Sequence, residues 1–179
     1  MSHGVRDGGM IGHLTQSDFK VVPWANGHGK TIEMFKVERD GALLWRLSRA
    51  AVVQDGPFSV MPGIDRILTV VSGPGFDLVG DVALQAKPLH PLEFSGDLSL
   101  RAVGVASPSD DLNVMVRRGA MRAEVSVMTD GDVSAPLAVL IPLTTLKAGF
   151  IAAARFDLVL TDRPIRFEGQ AIVVRLTEV

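Results

Sequence analysis

The chain has 179 residues, with 18 Lys and Arg against 20 Asp and Glu, four His, no Cys and no Tyr; 47% of residues are hydrophobic and 21% charged. This is the balance of a globular chain, and a length of this order allows one domain or two small ones whose folding hides roughly 70% of the unfolded surface. Disulfides and thiolate-held metals are excluded, and a formal charge of −2 with 6% aromatics supplies neither the basic field nor the stacking rings of a nucleic-acid surface.

The segment from Met1 to His13 is Gly-rich, carries His3, Arg6, Asp7 and His13, and lacks the apolar core of a secretory signal. The longest apolar stretches, such as Pro136 to Leu143, fall far short of the ~20 residues that span a bilayer. These features predict a flexible tail over residues 1–14 of a cytoplasmic protein, with Met10 an alternative start and the first nine residues an extension outside the fold. Beyond it, apolar residues recur with period two in short runs broken by Gly and Pro, and hardly anywhere with helical spacing. The expected strands, in chain order, are Phe19 to Val22, Thr31 to Val37, Leu43 to Val53, Arg66 to Val71, Phe76 to Val79 and Pro91 to Phe94. They continue with Leu98 to Val103, Leu112 to Val116, Arg122 to Met128, Leu137 to Ile141, Arg155 to Thr161 and Ala171 to Leu176. Many short strands at this spacing predict an all-β sandwich or barrels.

Asp40-Gly41, Asp55-Gly56-Pro57, Ser72-Gly73-Pro74-Gly75, Ser95-Gly96-Asp97 and Asp130-Gly131-Asp132 have turn chemistry. The stretch from Ser107 to Asp111 reads as the best seam between two halves, residues 15–108 and 109–179; strands exchanged between the halves fit the same pattern. Phe76-Asp77-Leu78-Val79 reappears as Phe156-Asp157-Leu158-Val159, each followed by a Phe-x-Gly turn, a weak echo of duplication.

Two strands carry polar groups at alternate positions: Arg46 and Ser48 share a face with Leu44 and Ala50, and Arg66 shares one with Leu68 and Val70. Such a face is either solvated or the wall of a barrel interior. A tightly held metal is not expected, because His3 and His13 lie in the tail, His28 between glycines and His90 against Pro91, with no His-x-His pair. Gly29-Lys30-Thr31 ends like a phosphate-binding loop, but Trp24 stands where the first Gly belongs and a strand follows where a helix is needed. No Gly-x-Ser-x-Gly elbow occurs. What remains suits a small anion: the Gly-rich loop around Asn26, then Thr31, Arg46, Ser48, Ser59, Arg66 and Asn113. Arg66 could equally serve in an ion pair with Asp65, and Asp111 and Asn113 in a strand-entry turn.

Four blocks in order, Val22-Pro23-Trp24-Ala25-Asn26-Gly27-His28-Gly29-Lys30-Thr31, Trp45-Arg46-Leu47-Ser48-Arg49-Ala50, Gly56-Pro57-Phe58-Ser59-Val60-Met61-Pro62-Gly63-Ile64-Asp65-Arg66 and Asp111-Leu112-Asn113, resemble the HutD/Ves family. The resemblance implies a bicupin, two small antiparallel jelly-roll-like β-barrels packed together, and a link to histidine utilisation through a small pathway carboxylate such as N-formylglutamate. Against the cupin pattern of His-x-His and Glu, Asp65-Arg66 stands near the usual metal-binding positions, which implies a metal-free site for an anion and no cofactor. The sequence departs from the family at Ala25, where Lys is usual, and at His28, where Gly is usual; Lys30 is a candidate substitute. In this picture Arg66 clamps the carboxylate, Asn26 and the Gly27-His28-Gly29 loop donate to it, Arg46 and Ser48 with Thr31, Ser59 and Asn113 complete the polar wall, and Trp24 closes the apolar side. The role is regulatory or accessory. Two rivals stay open: a hydrolase or isomerase using His28, Asp65 or Asp111 as acid or base, and a stress-related interaction module. Exposed edges leave a homodimer open, by analogy with cupins.

Overall fold

Period-two alternation interrupted by Gly, Pro and Asp calls for strands joined by tight turns. The computed structural model, which describes residues 11–24 and 29–179, consists of strands apart from one 3-10 turn at Gln16–Asp18. In chain order they are β1 (Ile11–Leu14), β2 (Lys20–Pro23), β3 (Lys30–Arg39), β4 (Ala42–Val52), β5 (Gly56–Pro57), β6 (Ile64–Ser72), β7 (Phe76–Gly80), β8 (Ala83–Ala86) and β9 (Leu92–Ser95). There follow β10 (Leu100–Val103), β11 (Ser109–Arg117), β12 (Met121–Val133), β13 (Leu137–Pro142), β14 (Leu146–Ala148), β15 (Ile151–Ala153), β16 (Leu158–Thr161) and β17 (Ile165–Glu178). Every expected strand is present, and the all-β expectation holds. β1, β5, β8, β14 and β15 were not expected, because two to four residues are too few to display an alternation. Among the described residues no helix is long and apolar enough to cross a membrane.

The chain divides into two compact units. The first, Phe19–Arg122 with Glu178–Val179, holds a six-stranded sheet ordered β2-β3-β4-β11-β6-β9 and a four-stranded sheet ordered β5-β10-β7-β8. Leu68 and Val70 from the larger sheet pack with Phe76, Leu78, Leu100 and Ala102 from the smaller, so the two sheets share one core. A bulge at Met34 shifts the β3–β4 register between Glu33 and Phe35. Thr31 and Glu33 therefore share the face of Ala50 and Ser48, while Phe35 is paired with Leu47 on the other side and stacks on Trp45, ring centroids 4.9 Å apart.

The seam expected at residue 108 lies inside this unit. Ser109–Arg117 pairs with both β4 and β6, and the fully buried Ser109 accepts a hydrogen bond through Oγ from the Gly75 amide. Gly73, at φ +86°, packs so closely on this turn that a Cβ would come 2.3 Å from the Pro108 carbonyl oxygen. Composition that resembles a linker is thus two turns packed on each other, and the units change over at 122/123.

The second unit comprises Ala123–Thr177 with the described part of Met1–Asp18. Its sheet runs β1-β16-β13-β17-β14-β15, with β12 also pairing β17. Leu140, Leu146, Val159, Phe167 and Val173, each essentially inaccessible, form its core with neighbouring apolar residues. The tail expected over residues 1–14 is corrected for 11–14: Ile11–Leu14 pairs antiparallel with β16, and His13 Nε2 lies 2.9 Å from the buried Asp157 Oδ2. The two copies of Phe-Asp-Leu-Val fall one in each unit, but Asp77 is exposed where Asp157 is buried.

Candidate functional site

In antiparallel strands, residues directly opposite one another project to the same face. The register across β4, β11 and β6 therefore builds three successive rungs on the inner side of the six-stranded sheet. These are Arg46–Met115–Arg66, Ser48–Asn113–Leu68 and Ala50–Asp111–Val70. Together with Trp24, Thr31, Val52, Pro57, Phe58, Ser59 and Met61, the polar members of these rungs line a pocket of about 530 Å³. A cavity of this size suits a small molecule.

Arg66 is the more confined of its two guanidinium groups, 6% exposed. Its guanidinium carbon sits 5.4 Å from the Phe58 ring centroid and 5.0 Å from that of Phe94, so two aromatic rings hold it. Nη1 donates to the Ser59 carbonyl at 3.3 Å and Nη2 to Asn113 Oδ1 at 2.9 Å, while the buried Nε has no partner. Asn113 in turn donates through Nδ2 to Asp111 Oδ1. A relay thus runs Arg66–Asn113–Asp111 with no direct ion pair between its ends. Burial, against the pull of Asp111 and with a smaller push from Arg46, lowers the Arg66 pKa to about 10. Burial also raises the Asp111 carboxyl to about 7, although Arg66 and Asn113 pull the other way.

Arg46, on the same rung as Arg66, has Nε 3.1 Å from Glu33 Oε2 without hydrogen-bonding geometry. This contact exists because the Met34 bulge keeps Glu33 on the inner face. At the rim, Trp24 Nε1 donates to Thr31 Oγ1 at 2.8 Å, and the Trp24 amide donates to the Gly29 carbonyl at 2.9 Å. The indole lies over Gly29 so tightly that a Cβ there would be 2.8 Å from two ring carbons.

Of the residues expected to bind ligand, Trp24, Thr31, Arg46, Ser48, Ser59, Arg66 and Asn113 line this one pocket. Asn26, Gly27 and His28, with Ala25, lie outside the described residues. Gly29 supports Trp24 from behind and does not line the cavity. Lys30 is exposed, one residue from the inward Thr31 and hence on the opposite face, so it does not stand in for the family's Lys at Ala25. Asp65, a candidate acid or base, is half-exposed and held by Arg118, Nη2 to Oδ1 2.7 Å; Arg118 also binds Asp97. Asp65 alternates to the far side of β6 from Arg66, which removes it from the site. Ala50, Val52 and Met115 were not singled out, although they continue the alternations of β4 and β11.

The cupin pattern implies a metal, and the described lining residues do not fit one. Two guanidinium groups face the cavity with Asp111 its single carboxyl, and no three His, Asp or Glu side chains converge among the described residues.

A sequence model of the HutD family matches residues 16–172. Protein Ves of Cronobacter sakazakii is 34% identical over 116 residues, 62% of this chain and 64% of that protein. An uncharacterized 21.2 kDa protein in the hutC 3' region of Pseudomonas putida is 32% identical over 117 residues, 63% of this chain and 61% of that one. The match spans a little under two thirds of the length of these curated relatives. Among solved structures, HutD from Pseudomonas fluorescens SBW25 superposes with a TM-score of 0.86 at 24% identity, covering 95% of this chain and 100% of that one. A cupin 2 conserved barrel domain protein from Leptotrichia buccalis gives 0.52 at 8% identity over 83% and 89% of the two chains. These likenesses establish a cupin-like fold, and with a family match running nearly the whole described length, the chain belongs to the HutD family.

Proposed function

We propose that the pocket binds a small carboxylate metabolite of the N-formylglutamate type without a metal, and that the protein has a regulatory or accessory role in histidine utilisation. The observation that carries this reading is Arg66, a buried guanidinium fixed between two rings with an unpartnered donor, in a cavity whose other polar side chains include hydroxyls, an amide, a second guanidinium and the Asp111 carboxyl. A carboxylate supplies the acceptors such a fork lacks, and relieves the repulsion between Arg66 and Arg46. The pathway rests on family membership and on the relative in the hutC 3' region. Isothermal titration with N-formylglutamate, glutamate and urocanate tests the site. Binding tighter than millimolar that Arg66→Ala abolishes supports it; no binding, or binding indifferent to Arg66→Ala, refutes it.

A second reading, a hydrolase or isomerase acting on such a carboxylate, is favoured by one observation. Asp111 is a buried carboxyl raised to about 7 and joined through Asn113 to a guanidinium, suited to moving a proton near neutrality. It requires turnover that Asp111→Asn abolishes while binding persists; binding without turnover across a broad panel of carboxylates dismisses it.

A further inference from the structure

The pocket already contains an anion in waiting. Asp111, 1% exposed, lies two rungs from Arg66 on the same inner face, and Asn113 joins the two through hydrogen bonds at both ends of its amide. An entering carboxylate therefore does not meet an uncompensated guanidinium; it meets one whose field is shared with an internal carboxyl in the same cavity. Resting on the carboxylate-binding reading, we propose that this site takes up its ligand together with a proton, Asp111 becoming protonated as the ligand's carboxylate engages Arg66.

Among the described residues the surroundings leave no other group to absorb the charge. From β4 the charged neighbour is Arg46, whose guanidinium lies beside Glu33. From β6 it is Arg66, and on β11 itself Asp110 adds a like charge that favours protonation of Asp111. The side chains facing in from β5 and just after it, Pro57, Phe58 and Ser59, do not titrate. With Arg46 matched by Glu33, the cavity carries one net positive charge when Asp111 is protonated and none when it is ionised. A second anion in this confined space disfavours the ionised form of Asp111, since like charges in one poorly solvated site cannot both persist. The ligand thereby replaces Asp111 as the counter-ion of Arg66, and the proton comes from solvent.

With the free carboxyl near 7 and the occupied site holding its proton, affinity falls about tenfold between about pH 6 and about pH 8, and near pH 7 about half a proton enters per ligand bound. The test is isothermal titration of the full chain with N-formylglutamate in phosphate and in Tris, buffers of unequal ionisation heat. Wild type shows different apparent heats in the two buffers and the tenfold pH slope; Asp111→Asn binds with equal heats and no slope. Difference infrared spectroscopy of the wild type provides a check that needs no variant, a protonated-carboxyl band growing on addition of ligand. Binding with equal heats in both buffers and no such band overturns proton uptake while leaving carboxylate binding intact. Uptake that persists in Asp111→Asn overturns the assignment to Asp111. Absence of binding at every pH overturns both readings together.

Discussion

Replacing Arg66 by Met separates a strut from a ligand clamp. Methionine fills similar space between Phe58 and Phe94 but removes the charge. The guanidinium pKa, lowered from the ordinary arginine range to about 10, means that the charged form is disfavoured in the fold by about 3 kcal/mol, at about 1.4 kcal/mol per unit. For a base with a depressed pKa this penalty is present at every pH below about 10 and fades only as pH rises toward the ordinary arginine range, so it is constant through the neutral range. Removing the charge recovers that energy. Against it stand the ring contacts, about 0.5–1 kcal/mol each, and about 1 kcal/mol for leaving Asn113 Oδ1 without its donor. The terms nearly cancel, so Arg66→Met unfolds in urea within about 1 kcal/mol of wild type. Loss of a two-pronged charged contact weakens carboxylate binding by about 3 kcal/mol, about a hundredfold in Kd by titration calorimetry. A variant destabilised by more than about 2 kcal/mol makes Arg66 a structural strut. A stable variant with unchanged affinity removes it from the binding site.

Asp111→Asn changes stability with pH in a defined direction. A carboxyl raised from 3.8 to about 7 makes no difference below pH 3.8, progressively destabilises the fold as pH rises, and has its full effect above about 7. The variant therefore matches wild type near pH 4 and exceeds it by about 2–4 kcal/mol near pH 8 in urea titrations; parallel curves contradict the raised carboxyl. Gly29→Ala forces the Trp24 ring off its seat, breaking the bond to Thr31 and weakening carboxylate binding by about three- to tenfold, with a change in Trp emission as a second readout. Asp65→Asn leaves carboxylate affinity within about twofold of wild type, since its partner is the exposed Arg118 and it is absent from the pocket lining.

Strand content was legible because alternation is a local signal. Successive side chains of a strand point to opposite faces, so period two appears in the residues themselves, as in Leu44, Arg46, Ser48 and Ala50, even though β6 and β11 are buried on both faces. The polar wall was legible for the same reason. Arg46 with Ser48 and Arg66 with Leu68 had to share faces whatever the fold, and the four motif blocks carried the family.

What alternation could not reveal is which face is inside, and where it slips. Thr31, Glu33 and Phe35 read as one face, yet the bulge at Met34 sends Phe35 to the other side and leaves Glu33 beside Arg46. The Ser107 to Asp111 stretch read as a seam because turn residues look alike whether they join domains or pack on a neighbouring turn; the Ser109 contact to Gly75 decided it. Ile11–Leu14 has no stabilising pattern of its own and becomes a strand through β16, supplied by residues 158–161. Asp111 read as a strand-entry turn or a catalytic candidate. Its place as the internal counter-ion of Arg66 depends on register across three strands, which brings residues 66, 111 and 113 together at a range no local pattern encodes. The sequence alone determined that this is a cysteine-free, mildly acidic β protein with arginines at alternate strand positions. Tertiary pairing decided that two of those arginines face one cavity, and that the cavity holds its own carboxyl.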